Sequence, residues 1–253
     1  GQGQAKTALQ QIIALAQINA ERQSRKLKTQ QVTLHAIFAG APGTGKTTLA
    51  HIIAKLVKAK FVALSAVSAG VKELRDIIAQ AKSDQLLHGQ KTILFIDEIH
   101  RWNKGQQDAL LPHIEQGTIT LIGATTENPS FELNSALLSR CQVVVFDKLP
   151  DTAVRQIITR VETLHATSLQ DDVIDFIVNI ADGDGRTALN TVELLQRSYG
   201  DLTKLTRDQA KQAIAKVALR YDKAGEQHYN IISALHKTMR ASDVNGALYW
   251  CGR

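Results

Sequence analysis

Five strand-length apolar runs punctuate the first 150 residues: Val32 to Ala39, Phe61 to Ser65, Thr92 to Asp97, Thr118 to Gly123 and Gln142 to Phe146. Segments with helical spacing separate them, and this alternation predicts a mostly parallel five-stranded sheet with helices on both faces, an α/β fold. Ahead of the first run, residues 5–24 place Ala8, Ile12, Ile13, Ala16 and Ile18 or Ala20 on one helical face, predicting an amphipathic helix. After Leu149-Pro150 the strand signal stops. Helices are expected over Asp151 to Leu164, Asp171 to Ile180, Thr187 to Ser198 and Thr206 to Leu219, the first opened by Asp151 and the last by an N-cap Thr206. Residues 227–252 return to a helical pattern that is still running at Arg253, so the chain is expected to stop inside an element. The expected organisation is an α/β domain over residues 1–149, an all-helical subdomain over 150–220 and the start of a further helical domain over 221–253.

The composition, 44% hydrophobic and 21% charged in 253 residues, is that of a soluble globular chain able to bury a sizeable core. Its apolar stretches are too short or too interrupted to cross a bilayer and no secretory signal opens it, so a cytosolic (nucleoid-associated) or nuclear location is expected, without a membrane partner. Cys141 and Cys251 lack metal or disulfide spacing and are expected to be reduced, packed thiols. A net charge of +6 is compatible with a polyanionic partner, but the basic residues are scattered rather than gathered into a block.

Chemistry concentrates after the first apolar run. Gly40-Ala41-Pro42-Gly43-Thr44-Gly45-Lys46-Thr47, with Thr48 behind it, fits the G-x-x-x-x-G-K-[ST] phosphate-binding loop between a strand and a helix. The glycines let main-chain N–H groups turn around phosphate, Lys46 supplies a point charge to the β- and γ-phosphates, and Thr47 offers its hydroxyl to Mg²⁺. Thr92-Ile93-Leu94-Phe95-Ile96-Asp97-Glu98 is a buried strand ending in two carboxylates. In a parallel sheet it delivers Asp97 to the same edge as the loop, where it can hold the Mg²⁺, and Glu98 to the attacking water. The strand ending at Gly123 leads into Ala124-Thr125-Thr126-Glu127-Asn128, whose hydroxyls and amide suit a γ-phosphate sensor; Thr126 is favoured, with Thr125 and Asn128 as alternatives. Arg140, in Ser139-Arg140-Cys141, is either a surface arginine or a finger reaching into a neighbouring copy's site. Arg186, in Gly183-Asp184-Gly185-Arg186, opens a helix and could report nucleotide state. Trp102, Asn103, Lys104, Gln106 and Gln107 could grip nucleic acid, although a lone Trp is more often packing. His35, His51, His100 and His113 lack ligand spacing and are expected to be structural.

The ordered set of phosphate loop, Ile96-Asp97-Glu98, Gly123-Ala124-Thr125-Thr126, Ser139-Arg140-Cys141 and Gly183-Asp184-Gly185-Arg186 resembles AAA+ P-loop ATPases of the clamp-loader branch. The run Ile99 to Lys104 through Gln106-Gln107-Asp108, with Leu111-Pro112-His113, Gly117 to Thr120 and Gly123 to Phe131, resembles the replication-associated recombination protein A family, which includes Werner helicase-interacting protein. So does Tyr221 to Tyr229 with Ile232 to Lys237, whereas residues 1–47 look more like the rubisco-activase and sporulation-protein-K type, making the chain read as a mosaic. The resemblance implies an all-helical lid after the α/β domain and an ATP/Mg²⁺ site of Lys46, Thr47, Asp97 and Glu98. It also implies Thr126 as sensor 1, Arg140 as finger and Arg186 as sensor 2. It further implies a ring, often tetrameric, acting on DNA at stalled forks and single-strand/double-strand junctions beside single-strand-binding protein or the replicative polymerase or helicase. The family's N-terminal linker and most of its C-terminal oligomerisation domain are expected to be missing. An ATP-switched scaffold with incidental hydrolysis is the alternative. A protein-remodelling motor is disfavoured because Ser65 to Gly70 carries no aromatic pore loop.

Overall fold

The computed structural model describes residues 35–165 and 169–222, together with the single position Arg22. The predicted helix over 5–24, apart from Arg22, and the predicted segment over 227–252 lie outside the described residues, as do Cys251 and the start of the first apolar run. The described residues fall into two compact units, one reaching Gln156 and including Ile180–Ala188, the other made of Ile157–Asn179 and the residues from Leu189 onward.

The first unit is built on five parallel strands, β1 (Ala36–Gly40), β2 (Lys60–Ser65), β3 (Thr92–Asp97), β4 (Thr120–Thr125) and β5 (Gln142–Phe146), in the order β2-β3-β4-β1-β5. The helices between them are α1 (Lys46–Leu56), α2 (Val71–His88) and the short α3 (Lys104–Asp108), α4 (Leu111–Glu115), α5 (Pro129–Glu132) and α6 (Ser135–Leu138). Successive strand residues point to opposite faces, and both faces are apolar. Ile37, Leu94, Ile96 and Leu121 pack with Leu74, Ile78 and Ala81 of α2 on one side. On the other, Phe38, Ile93, Phe95, Ile122 and Phe146 pack with Ala50, Ile53 and Ala54 of α1.

The span of β4 is displaced from its expected one, and pairing explains the shift. Among the described residues β1 begins at Ala36; before it, His35 accepts the Leu121 N–H on Nδ1 at 3.0 Å and the Gln142 N–H on its carbonyl at 2.9 Å. At β4, Thr118 and Ile119 both donate their N–H to the His113 carbonyl in a turn, so pairing starts at Thr120 against Ile93 and runs on to Thr125 opposite Ala39.

After the sheet come α7 (Asp151–His165), α8 (Asp171–Ala181), α9 (Gly185–Tyr199) and α10 (Arg207–Asp222). Within the second unit, α8 buries Val173, Ile174, Ile177 and Val178. Thr206 and Gln209 form a reciprocal capping box at the start of α10, with Thr206 N–H to Gln209 Oε1 at 3.0 Å and Gln209 N–H to Thr206 Oγ1 at 3.4 Å.

Candidate functional site

All five strands run parallel, so the loops after β1, β3 and β4 leave the same edge of the sheet, and the strand order sets these three side by side. Gly40, Gly43 and Gly45 adopt φ of 150°, 64° and 93°, values that side chains with a Cβ resist and that curl main-chain N–H groups into an anion-binding concavity. At Gly40 a Cβ would also stand 2.2 Å from the Phe146 carbonyl oxygen. Thr44 is buried, and its hydroxyl donates to the Ala41 carbonyl at 2.9 Å, bracing the loop over Ala41 and Pro42. Helix α1 then begins with no side chain capping its first turn and no acidic residue there, which leaves its N–H groups and positive dipole end for an external anion.

Lys46 lies at the bottom of this loop, only 8% exposed. Its Nζ donates to the carbonyls of Gly40 at 2.6 Å and Ala41 at 2.7 Å. Burial lowers its pKa, Glu98 and then Asp97 oppose that shift, Arg186 adds to it and Asp184 opposes it. Four charged side chains from two parts of the sequence therefore act on one ammonium. Thr47 is half-buried at the start of α1, and Thr48 beside it is exposed.

Asp97 ends β3, and Glu98 follows at φ 52°, a left-handed conformation rare for a residue with a Cβ. That turn starts a 3₁₀ helix, Ile99–Arg101, anchored by the fully buried Ile99. Glu98 Oε2 accepts the Thr126 hydroxyl at 3.2 Å and lies 3.3 Å from His100 Nδ1. The same nitrogen is 3.0 Å from Thr125 Oγ1, which also accepts the Glu127 N–H at 3.1 Å. Of the three sensor candidates, Thr126 alone is hydrogen-bonded to Glu98; Thr125 is wholly buried beside His100, and Asn128 caps α5 by accepting the Ser130 N–H at 3.0 Å.

Arg186 is exposed in the first turn of α9, whose cap is Asp184: its Oδ1 accepts the N–H of Arg186 at 2.7 Å and of Thr187 at 3.0 Å. The Gly185 N–H donates to the Gly43 carbonyl at 3.1 Å, and a Cβ on Gly43 would fall 1.6 Å from Asp184 Oδ1. Both residues belong to the first unit, so the start of α9 is built into the phosphate loop. Arg140 points elsewhere in the single chain. Its guanidinium bonds Glu115 at 2.6–2.7 Å and the Ala136 carbonyl at 2.7 Å.

Two residues outside the expected set reach the site. His100 is expected from sequence to be structural, and its short sequence distance to Glu98 is the only signal of more; Asp184 enters the sequence reading only as part of the Gly183-Asp184-Gly185-Arg186 run. Trp102 is no stacking platform, being 2% exposed with Nε1 donating to the Ala69 carbonyl at 3.0 Å. Cys141 is partly buried, and burial pushes its thiol up to about 12.

The residues fit a nucleoside triphosphate with Mg²⁺. An uncapped helix start, a glycine concavity and a buried ammonium held only by loop carbonyls form an anion cradle. Among the described residues no group of three or more His, Cys, Asp or Glu forms a metal cage. A Thr hydroxyl and one carboxylate suit a cation that completes its shell with substrate phosphates and water.

A five-stranded parallel sheet of this order, with a phosphate loop and paired carboxylates at one edge, defines the AAA class of ATPase domains. The model of the ATPase family associated with various cellular activities (AAA) matches residues 36–149, and that of the AAA C-terminal domain matches residues 163–240. The chain is 42% identical to replication-associated recombination protein A of Haemophilus influenzae over 98% of its own length and 58% of the relative's. It is 45% identical to the Escherichia coli K12 protein of that name, covering 87% of the chain and 52% of the relative. With ATPase WRNIP1 of Dictyostelium discoideum it shares 45% identity over 85% of the chain and 27% of the relative. It belongs to the family of replication-associated recombination protein A and WRNIP1, and spans about half the length, or less, of these curated relatives. The fold is similar to that of a Thermotoga maritima RuvB Holliday junction branch migration motor, with a TM-score of 0.64 at 25% identity over 95% of this chain and 77% of the other. No helix among the described residues is long and apolar enough to cross a membrane.

Proposed function

We propose that this chain is the ATP-hydrolysing core of a protein that acts on DNA in replication-associated recombination and repair, at stalled forks or single-strand/double-strand junctions. The observation that carries the ATPase reading is the convergence of Asp97, Glu98 and Arg186 on the buried Lys46, with Glu98 held by Thr126. The DNA reading rests on family membership and on the printed names of the relatives.

In this reading Lys46 leaves the Gly40 and Ala41 carbonyls for the β- and γ-phosphates of ATP, exchanging two neutral acceptors for charged ones. The residues from Gly40 to Thr48 wrap the phosphate chain with main-chain N–H groups and the start of α1. Thr47 and Asp97 would hold Mg²⁺, which when bound would neutralise charge on the phosphate oxygens. Glu98 takes a hydrogen bond or a proton from the water aligned for in-line attack, and Thr126 keeps its carboxylate in place. Arg186, carried to the phosphate loop by the Asp184 cap, lies against the γ-phosphate side. Arg140 completes the site of an adjacent copy in a ring. Its exposed pairing with Glu115 is no obstacle, since surface ion pairs contribute only about 0–1 kcal/mol. A clamp-loader-like ring, and single-strand-binding protein, polymerase or helicase as partners, belong to the same proposal.

The test is ATPase rate against protein concentration, with and without forked DNA, for the parent chain and Glu98→Gln. Glu98→Gln is expected to bind ATP without turning it over, and the parent's specific rate to rise with concentration and with DNA. Parent-like turnover by Glu98→Gln would remove Glu98 from its role. A rate independent of concentration would remove Arg140 from its own.

A further inference from the structure

We propose that His100 is a positioning residue for Glu98: its Nδ1–H fixes one carboxylate oxygen so that the other faces the attacking water. The inference rests on the reading of Glu98 as the group that activates that water. The geometry comes from the left-handed turn at Glu98, which folds the chain back so that residue 100 returns to the residue from which the turn started. The imidazole is 8% exposed, and its Nδ1 lies between Glu98 Oε2 at 3.3 Å and Thr125 Oγ1 at 3.0 Å.

The carboxylate beside the ring selects the proton's position. An ionised carboxylate offers only acceptors, so a bare Nδ1 at 3.3 Å would set lone pair against lone pair. With the proton on Nδ1, the N–H donates to Thr125 Oγ1 at 3.0 Å and presents its positive end to Glu98 Oε2 at 3.3 Å. The threonine oxygen then accepts from His100 and from the Glu127 N–H, using both of its lone pairs. Thr126 donates its hydroxyl to the same Oε2. A hydroxyl donor from the loop after β4 and an imidazole N–H dipole from the 3₁₀ turn after β3 thus act on one oxygen. A carboxylate held at Oε2 by a donated hydroxyl and an adjacent N–H dipole loses rotation about its last torsion, and Oε1 becomes the defined acceptor for water. Alignment of that kind acts on the chemical step rather than on substrate affinity.

The test measures kcat, KM and nucleotide affinity for the full chain and for Glu98→Gln, His100→Ala and His100→Asn. The ¹⁵N imidazole signals of His100 in the nucleotide-free protein are recorded alongside. Losing the N–H contact with the carboxylate is expected to lower kcat of His100→Ala by about tenfold, with KM and ATP affinity within about twofold of the parent. His100→Asn, whose side-chain amide can donate from near the place of Nδ1, is expected to recover to within about threefold. The imidazole signals are expected to report the Nδ1–H form. An unchanged kcat in His100→Ala, equal impairment of the Ala and Asn variants, a loss confined to KM, or an Nε2–H tautomer would each overturn the inference. Should His100→Ala not fold, the rate of His100→Asn and the tautomer decide it. Turnover by Glu98→Gln would instead bring down the reading of Glu98, whereas an inactive Glu98→Gln beside a fully active His100→Ala would bring down only the role of His100.

Discussion

Replacing Gly43 by Ala tests whether the start of α9 is built into the phosphate loop. The substitution has two separable costs. Gly43 has φ 64°, and holding alanine in the left-handed region costs about 1 kcal/mol. The new Cβ would also fall 1.6 Å from Asp184 Oδ1 and 2.4 Å from its carboxyl carbon, so the carboxylate must move. Moving it breaks the hydrogen bonds from the Arg186 and Thr187 N–H groups, and loss of an N-cap of this kind costs about 1 kcal/mol, with up to about 2 recorded. Together the loss is about 2–3 kcal/mol. Gly117→Ala is the internal control: Gly117 has φ 67°, but a Cβ there would meet nothing within 4 Å, so only the conformational cost of about 1 kcal/mol applies. Thermal or urea unfolding without nucleotide measures both, and Gly43→Ala is expected to melt several degrees below Gly117→Ala. Combining Gly43→Ala with Asp184→Ala should make the two changes strongly non-additive, because each removes the same cap. Equal stability of the two alanine variants, or additivity in the double variant, would refute the packing of Asp184 on the loop.

His35 is buried, and burial holds its pKa below 6.5 despite the opposing bond to the Ile114 backbone, so the folded chain refuses a proton that the unfolded chain accepts. Its contribution is intact above pH 6.5 and is lost as pH falls from there toward the folded pKa, with a slope of at most about 1.4 kcal/mol per pH unit; His35→Asn should flatten the fall in urea midpoint between pH 7.5 and 5.5, and an unchanged slope would contradict this. Trp102→Phe removes the donor to the Ala69 carbonyl and is expected to cost about 1–2 kcal/mol of stability without altering single-strand DNA affinity, measured by fluorescence anisotropy; a selective loss of affinity would restore the stacking role. In a Cys251→Ser background, Cys141, with its thiol pushed up to about 12, should react with a disulfide reagent at pH 8 far more slowly in the folded than in the urea-unfolded chain, and equal rates would argue against burial as the cause.

What could be read from the sequence was whatever the chain encodes locally. The phosphate loop, the β3 strand ending in Asp97, and the helices opened by Asp151, Asp171 and Thr206 each depend on residues within one turn or strand of each other, and their spans were legible to within a few positions. The end of β4 was not, because its span is set by pairing with Ile93 and Ala39 rather than by its own apolar pattern. That displacement has a consequence for the chemistry. Apolar periodicity predicts five parallel strands whose ends share an edge, but it does not state which ends are neighbours. Once β3 lies beside β4 with Ile96 opposite Gly123, continuing both chains by two residues brings Glu98 level with Thr125, next to Thr126. The bond from Thr126 to Glu98, and the return of His100 to the same carboxylate, follow from that register together with the left-handed turn at Glu98. A strand order with β1 between them would leave the same motifs intact in sequence and Glu98 without its donors. The motifs therefore specify the chemistry available at the edge of the sheet, and strand order and register specify which groups are close enough to carry it out.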